Sequence, residues 1–425
     1  MSRSVSCRSF DLDYEVVVVG ARCAGAATAM LLARAGVRVA LVDWAPAGSD
    51  TLSTHALMRA GVIQLQRWGL LDRVIAAGTP AVRRTVFRYG DATTAVSLKR
   101  VAGVDALYAP RHTVLHPILV EAAVAAGADV LAGISVTDVE HAVDGRVIGI
   151  VGHDQRQERV VVHAAVTIGA DGVHSTVAGA VGATVERQAS HASSVIHAHV
   201  SGLQTGGYEW FYAPGVTAAL IPTNDGQTCV LVGAPPGRFG AELAGDLPAS
   251  FRRLLAEASP ELAARVAGAT PTGRLRSFAG LPGFMRRPWG PGWALVGDAG
   301  YYRDPITAHG TSDGLRDAQL LAEATAAILA GERGEDEAMG EYHQTRNRLS
   351  ERLFAVTENI ASYRWDTRSV EAHVRSLSGA MVDEVDYLLA SDPGPTALTA
   401  GNSGRPAPNS PAETSRNHKS SESQR

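Results

Sequence analysis

Along the chain, the first strong hydrophobic signal is "YEVVVVG" (Tyr14 to Gly20), a continuous β-branched run of the kind that forms a parallel strand covered on both faces. Helical spacing takes over in "ARCAGAATAMLLARAG", where Ala26, Ala29, Met30 and Ala33 recur at three- and four-residue steps before Gly36 stops the helix. "VRVALVD" follows as a second parallel strand, which completes a βαβ unit. Next, "HALMRAGVIQLQRWGLLDRV" places Leu57, Val62, Leu65 and Leu70 for an amphipathic helix. "RHTVLHPILVEAAVAAGADV" reads as helix then strand, "SVTDVEHAVDGRVIGIV" as a hairpin turning at Asp144-Gly145, and "VVVHAAVTIGADG" as a further buried strand.

From about Ser175 to Arg286, strict alternation with turn residues replaces the continuous runs, as in "GYEWFYAPGVTAALIPTNDGQTCVLVG", with the helical "PASFRRLLAEASPELAARVAG" interrupting it. "PGWALVGDAG" restores a parallel-type strand, and "GTSDGLRDAQLLAEATAAILAG" a helix opened by small and polar residues. The pattern therefore divides the chain into an N-terminal tail (1–13), an α/β nucleotide-type domain (14–175, resumed at 287–332), an inserted mainly antiparallel domain (176–286, with a strand contributed from 83–110) and closing helices (333–390). The Pro/Ser/Asn-rich segment 391–425 reads as a disordered tail.

Composition removes several function classes. With 425 residues, 45% of them hydrophobic and 19% charged, the chain can build the cores of two packed domains. A net charge of -4 provides no basic field for nucleic acid or an anionic membrane surface, and no segment approaches the roughly 18 uninterrupted apolar residues of a membrane span. "MSRSVSCRSFDLDY" lacks the apolar core of a signal peptide, so the protein reads as cytoplasmic, acting on a small molecule. Cys7, Cys23 and Cys229 have neither disulfide-framework nor metal-ligand spacing, and no metal site is expected; Cys229 reads as a buried strand residue.

The chemistry begins at the glycine loop. In a dinucleotide loop the first glycine makes the tight turn, the second lets the backbone approach a pyrophosphate, and the third lets helix and strand pack closely. Gly20 and Gly25 supply the outer two, while Arg22 stands at the middle position, its side chain either turned away from the pyrophosphate or reaching round as a counter-charge. Cys23 and Ala24 fill the rest of the turn, and the helix N-terminus still offers free amides to a dianion. Asp43 ends the second strand, about where an acidic side chain grips an adenosine ribose.

Together with "IGADGVHSTVA" and "WALVGDAGYYRDPITAHGTSDGLRDA", this loop resembles the three sequence marks of the FAD-dependent monooxygenase superfamily, which also contains flavin halogenases and geranylgeranyl-reductase-type enzymes. The resemblance runs from about Tyr14 to Ala330. It implies a glutathione-reductase-type FAD-binding Rossmann domain with an inserted antiparallel substrate domain, the flavin ring lying between them. On the same resemblance Asp298 would bond the ribityl hydroxyls, Arg111 would lie near the ribityl and pyrophosphate, and Asp171 with Gly172 would form the turn linking FAD to a passing nicotinamide nucleotide. Gly297, Pro305, Gly310 and Thr311 would complete the cofactor contacts, with the helix from Gly310 pointing its amides at the flavin pyrimidine.

Three departures shape the reading. The arginine often found shortly after the Asp-Gly pair is replaced by "TVAGA" with Gly179, and the hydroxylase form "GDAAH" is "GDAGYYRDP" here, which leans toward halogenases and reductases. A halogenase of this kind needs a lysine near the flavin, yet the chain has only Lys99, in the loop-like "VSLKRVAG", and Lys419, in the tail. His309 and His55 are the candidate catalytic residues, for protonation or gating. Tyr208, Trp210 and Tyr212 share one face of a predicted strand and are candidate substrate-pocket residues, with Tyr301 and Tyr302 placed near the pocket by position.

The expected function is a single-component FAD-dependent monooxygenase using NAD(P)H and O2 on an aromatic or polyketide-like metabolite. The rivals are an FAD-dependent reductase of an isoprenoid or other alkene, and a flavin-binding protein without turnover.

Overall fold

In the computed structural model, residues 10–45, 55–238, 240 and 245–391 are described. The strand Phe10–Val19 lies in an eight-stranded sheet, parallel to Val39–Asp43 on one side and to Arg159–Gly169 on the other. Asp129–Ala132 extends the sheet beyond Val39–Asp43, and Trp293–Leu295 extends it beyond Arg159–Gly169, both in parallel. The continuous valine run is explained by burial on two faces: Val16 and Val18 pack with Ala26, Met30 and Leu315 of the covering helices, whereas Val17 and Val19 pack with Val162, Val177 and Leu295 on the opposite side. Helices Cys23–Arg34, His112–Ala125 and Gly310–Leu329 form the covering layer.

A second sheet runs in the order Thr270–Pro271, Ser194–Ser201, Gln227–Ala234, Val216–Pro222, Tyr208–Ala213, Arg84–Tyr89 and Ala92–Ser97. Every neighbouring pair is antiparallel except Tyr208–Ala213 against Arg84–Tyr89, which is parallel. Helices Leu247–Ala258 and Pro260–Ala267 cover one face through Phe251, Leu254 and Leu262. The other face turns toward the nucleotide-type domain and the last helix, Thr367–Ala390. The fold is thus the expected α/β Rossmann-type domain with an inserted, largely antiparallel sheet. No helix of the described residues is long and apolar enough to cross a membrane.

Several elements differ in detail from the hydropathy reading. The segment read as tail up to residue 13 already pairs as strand from Phe10, opposite Val160. The single amphipathic helix predicted from His55 is two, Arg59–Arg67 and Leu71–Ala76, because Gly69 sits at φ +73° between them; Leu57 forms a bridge with Tyr108 instead. The helical insert is likewise broken at Ser259, whose backbone is extended and whose hydroxyl accepts from Leu262 N, with Pro260 unable to donate back to the preceding turn. The segment read as a C-terminal tail lies almost entirely outside the described residues.

Candidate active site

At the end of Phe10–Val19 the chain turns through Gly20 at φ +104°, where an added Cβ would stand 2.5 Å from Ala170 O. A Cβ on Gly25 would stand 1.9 Å from Gly20 O and 2.9 Å from Ala170 Cβ. Neither position tolerates a side chain. Arg22, by contrast, precedes helix Cys23–Arg34 with φ −84° and ψ −170°, an extended conformation open to any residue, and it is exposed. That geometry explains how arginine replaces the middle glycine.

Cys23 is buried in the first helical turn, where burial pushes its thiol up to about 12 and keeps it neutral. It comes within reach of His112 and His116, a juxtaposition that chain order conceals. Ala24 is the meeting point of three elements: its methyl lies 2.8 Å from where a Cβ on Gly297 (φ +60°) would fall and 3.4 Å from that of Gly314. A cradle this close to backbone, open to the helix N-terminus, fits the diphosphate and ribityl chain of a dinucleotide.

Asp43, the residue expected to grip a ribose, also has a local task. Its Oδ2 accepts from Ala21 N at 2.7 Å and its Oδ1 from Ala45 N at 2.9 Å, which ties the second strand to the glycine loop. The Asp43→Ala substitution is therefore expected to loosen the loop and weaken FAD binding about tenfold, in line with the roughly 1–3 kcal/mol lost when a charged acceptor is removed. Flavin fluorescence titration of the apoprotein measures it.

Across the cradle, Asp298 is exposed in the turn Gly297–Ala299, yet surrounding protein, together with Asp313, pushes its carboxyl up to about 6. The chain then passes the short turn Pro305–Thr307, capped by Asp304 Oδ1 from Ile306 N at 2.9 Å, and Ala308 at φ +48°. It enters helix Gly310–Leu329, with Gly310 exposed and Thr311 half-buried at its N-terminus. Arg111 is anchored to the second sheet: its backbone N donates to Asn224 Oδ1 at 2.9 Å. Asp171 caps its own following helix, accepting from Ser175 Oγ at 2.5 Å and Thr176 N at 2.7 Å, with Gly172 at φ +84°; Gly179 on that helix is exposed, with open space at its Cβ position.

A cavity of about 730 Å³ opens between the second sheet and helix Thr367–Ala390. Tyr208, Trp210 and Tyr212 all line it, as their alternation predicts. Phe87 and Tyr89 of the neighbouring strand continue the wall: Tyr89 stacks on Tyr212 with centroids 5.6 Å apart at 17°, and Phe87 on Tyr89 at 6.5 Å and 8°. Val374, Leu377 and Met381 form the opposite wall. Hydropathy marked this helix only as a closing element, because an apolar stripe facing a cavity and one facing a core have the same period. Tyr301 and Tyr302 are not in the cavity: their strand pairs with Phe284–Arg286, and their rings pack on Phe354 and Phe284. Lys99 does line the cavity, on an exposed stretch.

Ile306, Thr307 and His309 contribute to the cavity from the start of helix Gly310–Leu329. The His309 ring is fully buried, Nε2 lying 2.7 Å from Glu384 Oε2, and Nδ1 has no hydrogen-bond partner among the described residues. Arg316 Nη1 donates to Glu384 Oε1 and Asp313 Oδ1, both at 3.1 Å, while Arg303 Nη2 donates to Asp313 Oδ2 at 2.6 Å. Burial opposes ionisation of Glu384, but His309, Arg316 and Arg303 together hold its carboxyl down to about 2. His309, Asp313 and Glu384 are close enough for a cation, a place the two arginines already fill electrostatically.

His55 lies elsewhere. It is buried at φ +59°, 5.0 Å from His112 and 5.3 Å from His199 between ring centroids, in a run of imidazoles that continues to His116 and His197. Burial and these neighbours depress its pKa well below the ordinary value, so it stays neutral.

Comparison with known proteins agrees with the cradle. A family model described as an FAD binding domain matches residues 13–357. The menaquinone reductase of Mycolicibacterium smegmatis is 27% identical over 332 residues, covering 73% of this chain and 75% of that protein. Among solved structures, the flavin-dependent brominase Bmp2 superposes with a TM-score of 0.74 at 19% identity, covering 89% of this chain and 98% of that one. PqsL of Pseudomonas aeruginosa, described as a probable FAD-dependent monooxygenase, gives 0.66 at 22% identity, covering 87% and 100%.

Proposed function

Given a chain that belongs to the FAD binding domain family and is an FAD-dependent oxidoreductase, we propose that it is a monooxygenase. It takes two electrons from NAD(P)H and inserts one atom of O2 into a flat aromatic or polyketide-like molecule, the other atom leaving as water. The observation that carries this reading is the cavity, an apolar chamber walled by near-parallel rings that meets the flavin-helix turn at Ile306 and His309. Such a wall favours a planar ligand by offset stacking and keeps water from it.

Bound FAD supplies two-electron chemistry and reactivity toward O2. The chain's residues do the rest. Gly20 and Gly25 let the diphosphate approach backbone amides, Asp43 holds that loop, and Asp298 and Arg111 are the candidate ribityl contacts. The backbone amides at Gly310 and Thr311 would hold the electron-rich end of the flavin ring and favour negative charge there. His309 is a positioning residue: with its ring buried against Glu384, it fixes the start of the flavin helix. His55, buried among other imidazoles, is not among the residues lining the cavity, so it is assigned no contact with the substrate.

The test is oxygen uptake by the FAD-loaded protein with NADPH or NADH. Uptake stimulated by an aromatic metabolite and matched by a product one oxygen heavier is the expected result. His309→Gln is expected to slow coupled turnover; unchanged coupling removes His309 from the mechanism. A hydride-transferring reductase is the second reading, supported by the likeness to a menaquinone reductase; it predicts reduced flavin that persists in air and a product gaining two hydrogens.

A further inference from the structure

The cavity is walled mainly by apolar and aromatic side chains, with charged residues at its edges: Arg59 and Lys99 on one side, and Glu371, Arg375 and Asp386 of the last helix on another. Arg59 opens helix Arg59–Arg67, and its Nη1 donates to the backbone O of Lys99 at 2.7 Å; both residues line the cavity. A second, longer bond from the same nitrogen reaches Val104 O at 3.5 Å. The guanidinium is thus fixed by backbone carbonyls and not by an acid. Neither Arg59 nor Lys99 has a carboxylate within ion-pair distance among the described residues. Of the acids that line the cavity, Glu371 is taken by Arg375 at 2.7 Å, and Asp386 makes no ion pair among the described residues.

A partly desolvated arginine without a counter-charge is unfavourable, and burial accordingly lowers the Arg59 pKa. The cost is relieved when an anion arrives that can take a charge-assisted hydrogen bond.

Resting on the reading of this cavity as the substrate site, we infer that the substrate is a flat aromatic acid, its carboxylate held by Arg59 and Lys99 and its ring system laid along Tyr89, Trp210 and Tyr212. Arg59 and Lys99 are then specificity-determining residues, selecting the ionised acid over its neutral derivatives.

Isothermal titration of the oxidised holoenzyme, without NAD(P)H, tests this with two probes of the same shape: anthraquinone-2-carboxylate and anthraquinone-2-carboxamide. The expected result is at least tenfold tighter binding of the carboxylate, a preference that shrinks as salt is raised. In Arg59→Gln the preference falls below about threefold while carboxamide affinity is unchanged, which also shows that the variant is folded. Arg59→Lys retains part of it. Lys99→Gln, on an exposed stretch, weakens carboxylate binding severalfold and decides the matter should Arg59→Gln fold poorly.

Equal affinity for both probes, no binding of either, or a preference that survives in both Gln variants overturns the inference. Because the titration involves no turnover, it is separable from the oxygenation reading. A carboxylate preference without oxygen-linked product keeps the anion corner and removes the monooxygenase, whereas oxygenated product from neutral ligands alone does the reverse.

Discussion

Gly25→Ala is expected to leave the purified protein without flavin. The added Cβ would stand 1.9 Å from Gly20 O, so the loop must open where the diphosphate has to approach it. Overpacking of this kind costs about 1–3 kcal/mol or more, which corresponds to an FAD dissociation constant raised about 5- to 150-fold or more. The flavin-to-protein absorbance ratio after desalting reads the effect directly. Arg22→Gly, at the extended and exposed position between the two glycines, is expected to change FAD affinity less than threefold. If Gly25→Ala retained full FAD while Arg22→Gly lost it, the assignment of the cradle would be reversed.

The second large effect is on stability. Glu384 on the last helix is fully buried, and its removal in Glu384→Ala leaves His309 Nε2 without its 2.7 Å carboxylate partner and takes away one of the three acidic partners of Arg316, which keeps Asp313 and Asp317. Breaking a buried pair in this way costs about 3–5 kcal/mol. Because the folded-state pKa of about 2 lies below the ordinary glutamate value near 4.5, the stabilising contribution is complete above about pH 4.5 and fades as pH falls toward 2. Urea unfolding of wild type and variant should therefore differ most at neutral pH and converge as acid is added. A constant difference from pH 7 to pH 3 would mean that Glu384 stabilises through packing and not through its charge.

The distance over which each signal acts decides what was legible in the sequence. The βαβ unit was readable because a valine run covered on both faces leaves a continuous apolar stretch, and the glycine loop because Gly20 and Gly25 have no side-chain alternative. The stripe Tyr208, Trp210 and Tyr212 declared a shared face by its period of two. The other wall of the cavity did not declare itself, since Val374, Leu377 and Met381 have the spacing of any amphipathic helix. Nor did the Glu384 contact with His309, which joins residues 75 positions apart. Tyr301 and Tyr302 were misplaced because sequence adjacency to Asp298 says nothing about a strand that turns away to pair with Phe284–Arg286. Arg59, the cation at the cavity corner, carried no signal at all: an arginine at a helix start looks like solvated surface until its neighbours are known.

Oxygen insertion into a planar ligand can be read from the product itself. The FAD-loaded protein is turned over with NADPH or NADH, an aromatic acid and ¹⁸O₂, and the product is weighed by mass spectrometry. A monooxygenase yields a product heavier by one ¹⁸O atom, which is the expected result. A product without label that has gained two hydrogens, formed equally well under nitrogen, would contradict oxygen insertion and establish the reductase.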